Sequence, residues 1–183
     1  MMVGHSMATH PDDYRLLSAY VSKGHDYVEI GTMYGASAII AGRACKGEIH
    51  CIDPFGPYKK NIKPVPSPEI VRQNWESKGL VLERLHIHQQ AHPPWPEVIK
   101  DRMFDVGLID GCHEIESVWR DWYGMSPHIK KYILFHDVKA DRQYDPQIGA
   151  QIGPTTVLYQ VARMAGWDLL EIRGNMGVLK RAE

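Results

Sequence analysis

Short apolar runs alternate with helical periodicity along this chain, and that alternation limits its fold more than any other feature. "DYVEI" ends at Ile30 and passes through "GTMYG" into a small-residue helix, "ASAIIAGRACKG", that stops at Gly47. Then follow strand "EIHCI", a helix around "PEIVRQNWESKG", strand "LERLHIHQ" and a short proline-started helix, "PWPEVIKDR". Strand "FDVGLID", helix "EIESVWRDWYGM", strand "KYILFHD" and helix "PTTVLYQVARMAG" continue the pattern. An opening helix, "PDDYRLLSAYVSKG", precedes all of these. "WDLLEIRGNMGVLKR" closes the chain as two strands about a Gly-Asn turn, an antiparallel hairpin. Alternation of this kind predicts an open, mainly parallel α/β sheet with helices on both faces. No internal repeat or low-complexity linker divides the 183 residues, so one domain spanning 1–183 is expected.

Bulk properties narrow the partners. A net charge of −1 offers no cationic surface for nucleic acid, and "KKNIK" (Lys59, Lys60, Lys63) reads as a solvated loop. Cys45, Cys51 and Cys112 are odd in number and never spaced CxxC, which fits neither a disulfide framework nor a zinc site. A reducing, cytoplasmic setting is expected. No apolar run approaches the roughly 20 residues that span a bilayer, so no membrane is implied. "MMVGHSM" lacks the apolar core of a signal peptide and reads as appended or disordered chain. Self-association stays open.

Ligands of such sheets sit beyond the carboxyl ends of the strands, where strand order reverses. That rule singles out Glu29 to Gly35, Asp53, Gln90 to His92, Asp110 to His113, and His136-Asp137. A dinucleotide turn needs G-x-G-x-x-G, its middle glycine admitting the pyrophosphate, but Met33 stands there. No GxxxxGK[ST] phosphate loop occurs either. What remains is acid-x-Gly-x-x-x-Gly, a wider turn for a ligand without a pyrophosphate, or simply a tight turn. Glu29 would suit a cationic group, and Asp53, ending the second strand, could accept from both hydroxyls of a ribose. A nucleoside without a diphosphate, joined to a positively charged amino acid, describes S-adenosylmethionine.

The segments "EIGTMYGAS", "CIDPF", "LIDGCHEIESVWRD" and "ILFHD", in this order, carry a family likeness. The chain resembles class I S-adenosylmethionine-dependent methyltransferases, in particular the small-molecule O-methyltransferase-like group, from about Tyr14 to the final hairpin. The resemblance implies an α/β, Rossmann-like doubly wound sheet of about seven strands, mostly parallel, with an antiparallel C-terminal hairpin. It implies a cofactor pocket lined by Glu29, Gly31, Thr32, Met33, Gly35, Ser37, Asp53, Pro54, Ala91, His92 and Asp110. Gln90-Ala91-His92 would face the adenine, although the Gly-Asp/Ser type usual in relatives is absent.

Asp110 ends the fourth strand and Asp137 the fifth, each directly after an apolar run. Methyl transfer from a sulfonium is an in-line displacement, in which the enzyme aligns the acceptor and removes its proton. His113, Asp110 and Asp137 are the expected catalytic residues, with His113 as base because Cys112 replaces an Asp of some sugar-modifying relatives. Metal-dependent relatives place ligands at positions that match Asp110, His136 and Asp137. His136 departs from their usual acid, and one imidazole with two carboxylates favours Mn²⁺, Fe²⁺ or Zn²⁺ over Mg²⁺.

Plainer roles stand beside each of these. Asp110 can cap the next helix, His113 can simply begin it, and His136 can point back into the sheet. His86 and His88 form an H-x-H pair read as structural or surface, and Trp95, Trp119 and Trp122 as packing. Loops 54–66 (Phe55, Tyr58) and 138–153 (Arg142, Tyr144, Asp145) would cover a small-molecule acceptor, such as a sugar or secondary metabolite. Two rival functions are a NAD-dependent oxidoreductase, opposed by Met33, and a non-catalytic cofactor-binding protein, which Cys112 and His136 keep alive. Nucleic-acid methylation is opposed by the neutral charge and the missing (N/D)PP(Y/F) segment.

Overall fold

The protein is described from a computed structural model, which covers residues 11–57, 63–139 and 152–182. Residues 1–7, Tyr58, Lys59, Lys60, Arg142, Tyr144 and Asp145 lie outside the described residues. Helix α1 (Pro11–Val21) buries Leu16, Leu17, Tyr20 and Val21 along one face. Strand β1 (Tyr27–Ile30) then turns at Gly35 into α2 (Ala36–Ala44), followed by β2 (Ile49–Asp53). Helix α3 (Pro68–Glu76) starts with proline behind Ser67, whose hydroxyl accepts from the Ile70 N–H. After β3 (Leu85–Gln89) come β4 (Phe104–Ile109), α4 (Ile115–Met125), β5 (Ile129–Phe135) and α5 (Ile152–Val161). Strands β6 (Trp167–Arg173) and β7 (Met176–Arg181) end the chain as the expected hairpin.

The seven strands order as β3-β2-β1-β4-β5-β7-β6. Pairs among β1 to β5 are parallel, while β7 is antiparallel to both β5 and β6. Strand order reverses between β1 and β4, and the crevice opens above that switch point. Side chains alternate between two cores. Val28, Ile30 and Ile109 face the α4 and α5 layer, with Val118, Trp122 and Val157. Tyr27, Cys51 and Leu108 face α1 to α3, with Leu17, Ile39 and Trp75. Trp95 and Trp119 pack against the first core, as expected for packing residues.

Two boundaries differ from the sequence reading. "PWPEVIKDR" forms only a 3-10 turn at Glu97–Ile99, because Pro93, Pro94 and Pro96 remove the N–H donors a longer helix would need. Leu82–Arg84 is a 3-10 turn ahead of β3 rather than its first residues. Among the described residues no helix is long and apolar enough to cross a membrane, and all three cysteines are free.

Candidate functional site

The β1–α2 turn is built by unusual backbone. Gly31 (φ 90), Met33 (φ 51) and Gly35 (φ 83) all lie in the left-handed region, and Met33 bears a side chain there. Strain of this kind concentrates at ligand-binding turns. A Cβ on Gly31 would stand 2.1 Å from the Asp110 carbonyl oxygen, so this glycine lets the ends of β1 and β4 touch. Gly31→Ala is therefore expected to cost at least about 4 kcal/mol or prevent folding, measured by chemical denaturation. Gly35 serves packing as well, because a Cβ there would meet Val71 of α3 at 2.9 Å.

Glu29 points from β1 into the α2 side and is fully buried. Its Oε2 accepts from the Tyr27 hydroxyl at 2.9 Å. Glu29 Oε1, Thr32 Oγ1 and Ser37 Oγ are buried and lack a hydrogen bond of good geometry. Burial pushes the Glu29 pKa up to about 7, against the opposing pull of Ser37, Tyr27, Thr32 and Cys51 nearby. Glu29 thus acts from beneath the turn rather than as an open anion in the pocket.

An acid with a raised folded pKa keeps its proton after the unfolded chain has lost it. Its contribution is complete below pH 4.5 and declines as pH rises toward about 7. Over that window wild type should lose about 3 kcal/mol relative to Glu29→Gln. Denaturant melts of both chains from pH 4.5 to 8 check this, and parallel curves would remove Glu29 as the cause.

Asp53 ends β2 as predicted, and its carboxylate points into the turn. Oδ2 accepts from the Thr32 and Met33 N–H groups at 2.8 and 2.9 Å, and Oδ1 from the Phe55 N–H at 2.7 Å. A carboxylate offers about four acceptor positions, so three backbone donors leave about one. A two-point grip on a ribose would displace one of these amides. Pro54 is exposed beside it.

Beyond β4 and β5 a second group assembles. His113 Nε2 lies 3.1 Å from Asp137 Oδ2 and 3.9 Å from Asp110 Oδ1. Asp137 takes a left-handed φ of 55, which aspartate tolerates better than most residues. Hydrogen bonding to Asp110 raises the His113 pKa, burial opposes it, and the Asp137 and Asp110 charges add to the rise. Burial works to raise the Asp110 pKa, but His136 and His113 overcome it and hold the acid below its ordinary range. One nitrogen of His113 and one oxygen of each acid lie within 4.8 Å of one another, close enough for a divalent ion.

His136, the expected third ligand, stands beside that set, its Nδ1 3.6 Å from Asp137 Oδ2, but it is also held by other acids. Its Nδ1 lies 3.1 Å from Asp110 Oδ1 and its Nε2 3.3 Å from Asp13 Oδ2. Burial lowers its pKa, yet Asp110 and Asp137 outweigh burial and drive it to about 11. Nδ1 sits between Asp110 and Asp137 and Nε2 faces Asp13, so both ring nitrogens already have acid partners. His113 takes the third place instead. Asp13 is the partner that sequence reasoning missed. This buried acid also accepts from the Asn175 N–H at 2.7 Å. Its signal was available, since Asp13 shares the apolar stripe of α1 with Leu16, Leu17 and Tyr20.

His92 also departs from expectation. Its Nδ1 lies 2.8 Å from Asp121 Oδ1, and its side chain is 1% exposed. The ring fastens the loop after β3 to α4 and is closed to an adenine, while Ala91 stays exposed at the loop surface. Cys112 is exposed next to His113.

Solved structures share this architecture. An O-methyltransferase from Bacillus cereus, in complex with SAH, superposes with a TM-score of 0.69 at 16% identity, over 98% of this chain and 84% of that one. The O-methyltransferase TomG from Streptomyces achromogenes, involved in tomaymycin synthesis and solved with SAM, gives 0.63 at 14%, over 97% and 82%. The N-methyltransferase NodS from Bradyrhizobium japonicum gives 0.64 at 12%, over 94% and 96%. Identities this low carry the fold alone. Comparison with curated protein sequences returns no match. The methyltransferase-domain family matches residues 28–138, a span that holds the glycine turn, Asp53 and the Asp110–His113–Asp137 group. On that match, the chain belongs to the methyltransferase-domain family, built on the class I S-adenosylmethionine-dependent fold.

Proposed function

We propose that this protein transfers the methyl group of S-adenosylmethionine to a hydroxyl of a small molecule. The observation that carries the reading is that the glycine turn and the acid–histidine group touch. Gly31 abuts the Asp110 carbonyl, and Asp110 stands beside His113 and Asp137. A cofactor held at the turn would therefore lie next to a base. The wide turn without a middle glycine, with Asp53 bonded to its N–H groups, suits a nucleoside with an amino-acid tail. When bound, S-adenosylmethionine supplies an electrophilic methyl group.

The chain's own residues do the rest. Asp53 and the turn orient the cofactor, while His113, placed by Asp137 and Asp110, takes the proton from the acceptor hydroxyl. Were a divalent ion held by Asp110, His113 and Asp137 instead, the ion would replace His113 in activating that hydroxyl by lowering its pKa, and this donor set suits Mn²⁺, Fe²⁺ or Zn²⁺. The acceptor is polar and small, a sugar or secondary metabolite.

Thermal denaturation with S-adenosylmethionine, S-adenosylhomocysteine, NAD and Mn²⁺ tests the assignment. Each adenosyl ligand at a hundred times its Kd should stabilise the fold by about 2.7 kcal/mol. A rise with NAD and none with S-adenosylmethionine would overturn it.

A further inference from the structure

A second cluster of donor groups lies on the opposite side of the sheet's edge from the methyl-transfer crevice. Glu48 immediately precedes β2, His50 lies near its start, and His86 and His88 come from β3, with His50 paired to His86 and Ile52 to His88 in parallel register. All point to the face that α4 and α5 cover farther along the sheet. Here the β3–β4 crossover supplies only the 3-10 turn Glu97–Ile99, so among the described residues this crossover lays no α-helix over the corner. His50 stands three positions before Asp53, which puts the cluster about 10 Å from the crevice end of the strand.

From this geometry we propose a divalent transition-metal site, with Zn²⁺ the best fit, at Glu48, His50 and His86. One donor atom from each lies within 4.8 Å of the others. Glu48 Oε2 is 3.2 Å from His50 Nε2 and 3.5 Å from His86 Nε2. These separations bracket the roughly 3.4 Å between neighbouring donors of a tetrahedral ion with bonds of about 2.1 Å. His86 Nε2 is shielded from solvent and has no hydrogen-bond partner, as befits a nitrogen presenting a bare lone pair.

The supporting contacts suit a ligand set. His50 Nδ1 lies 3.0 Å from His88 Nε2. A metal on His50 Nε2 sends the ring proton to Nδ1, from which it donates to His88. That is the outer hydrogen bond that fixes a ligating histidine, and His88 stays neutral by carrying its own proton on Nδ1. Arg102 pairs with the same Glu48 oxygen, so an ion there must share that carboxylate with a guanidinium.

The His50 and His86 rings stack at 4.5 Å with an interplanar angle of 19°, so their lone pairs run side by side. Closing on one ion requires His86 to tilt, which its place on an edge strand, 37% exposed, permits. Three protein ligands leave a fourth position to water. The ion would clasp edge strand β3 to β2 at that corner. This site does not depend on the methyl-transfer reading.

Zn²⁺ titration against a chromophoric chelator tests it, in a His113→Ala/Asp137→Asn chain that has lost two of the three crevice donors. One Zn²⁺ equivalent should remain. Adding His86→Ala should weaken it at least tenfold, and Glu48→Gln, at a half-exposed position, should do the same. Co²⁺ bound to the double variant should show the visible bands of a four-coordinate ion, absent once His86 is replaced. No Zn²⁺ equivalent in the double variant, or unchanged affinity in both the His86→Ala and Glu48→Gln chains, would overturn the proposal.

Discussion

Replacing Asp53 with Ala is expected to weaken S-adenosylmethionine binding at least ~100-fold, or about 3 kcal/mol, as read by calorimetry. Two losses combine. The remaining acceptor position of the carboxylate no longer meets a ribose hydroxyl, and the turn that shapes the pocket loses its anchor. Asp53 receives the N–H groups of Thr32, Met33 and Phe55, so it ties the β1–α2 turn to the loop after β2. The same substitution should therefore lower the melting temperature by roughly 5–10 °C, at 2–4 °C per kcal/mol for a chain of this size. Asn at 53 retains one carbonyl for the turn but presents an amide to the Phe55 N–H, and should fall between Ala and wild type. Wild-type cofactor affinity in the Ala chain would remove Asp53 from the pocket.

Turnover should respond most to His113. With Gln in its place, kcat is expected to fall about 10²–10⁴-fold while cofactor affinity stays within twofold of wild type. The pH profile separates a base from a scaffold. Only neutral imidazole accepts a proton, and Asp110 and Asp137 hold the His113 pKa above 6.5. Wild-type kcat should thus rise with pH through a midpoint above 6.5, and the Gln chain should be flat there. Asp137→Asn, which keeps the left-handed backbone but removes a charge 3.1 Å from Nε2, should move that midpoint down and lower turnover. An unchanged profile in Asp137→Asn, or full activity in the His113 variant, would take this group out of the mechanism.

The elements were legible because their signals are local. Strand β1 occupies Tyr27–Ile30 as its apolar run implied, and the final hairpin turns about Gly174-Asn175. Strand ends could also be read, since Asp53, Asp110 and Asp137 each follow an apolar run and reach the same side of the sheet. Less legible was where a side chain aims once the strand stops. His136 and Asp137 are neighbours beside Asp110, yet the far side of the His136 ring meets Asp13 of α1, an acid 123 positions away. His92 was misplaced for the same reason, since its partner Asp121 sits on α4. Glu48, His50 and His86 form a cluster only through parallel register, which spacing within one strand does not reveal.

Asp13 has a consequence for anyone redesigning this protein. The aim of the ring at the end of β5 is tied to the first helix of the chain, because α1 supplies Asp13, 3.3 Å from His136 Nε2, while Asp110 and Asp137 hold the charge. A shortened version that frays α1 could still fold and still look intact by circular dichroism. It would nonetheless release His136 Nε2, free the ring to turn from Asp110, and let the pKa of that aspartate drift upward unnoticed. Trimming such a scaffold calls for titration of that aspartate as well as a check of its shape.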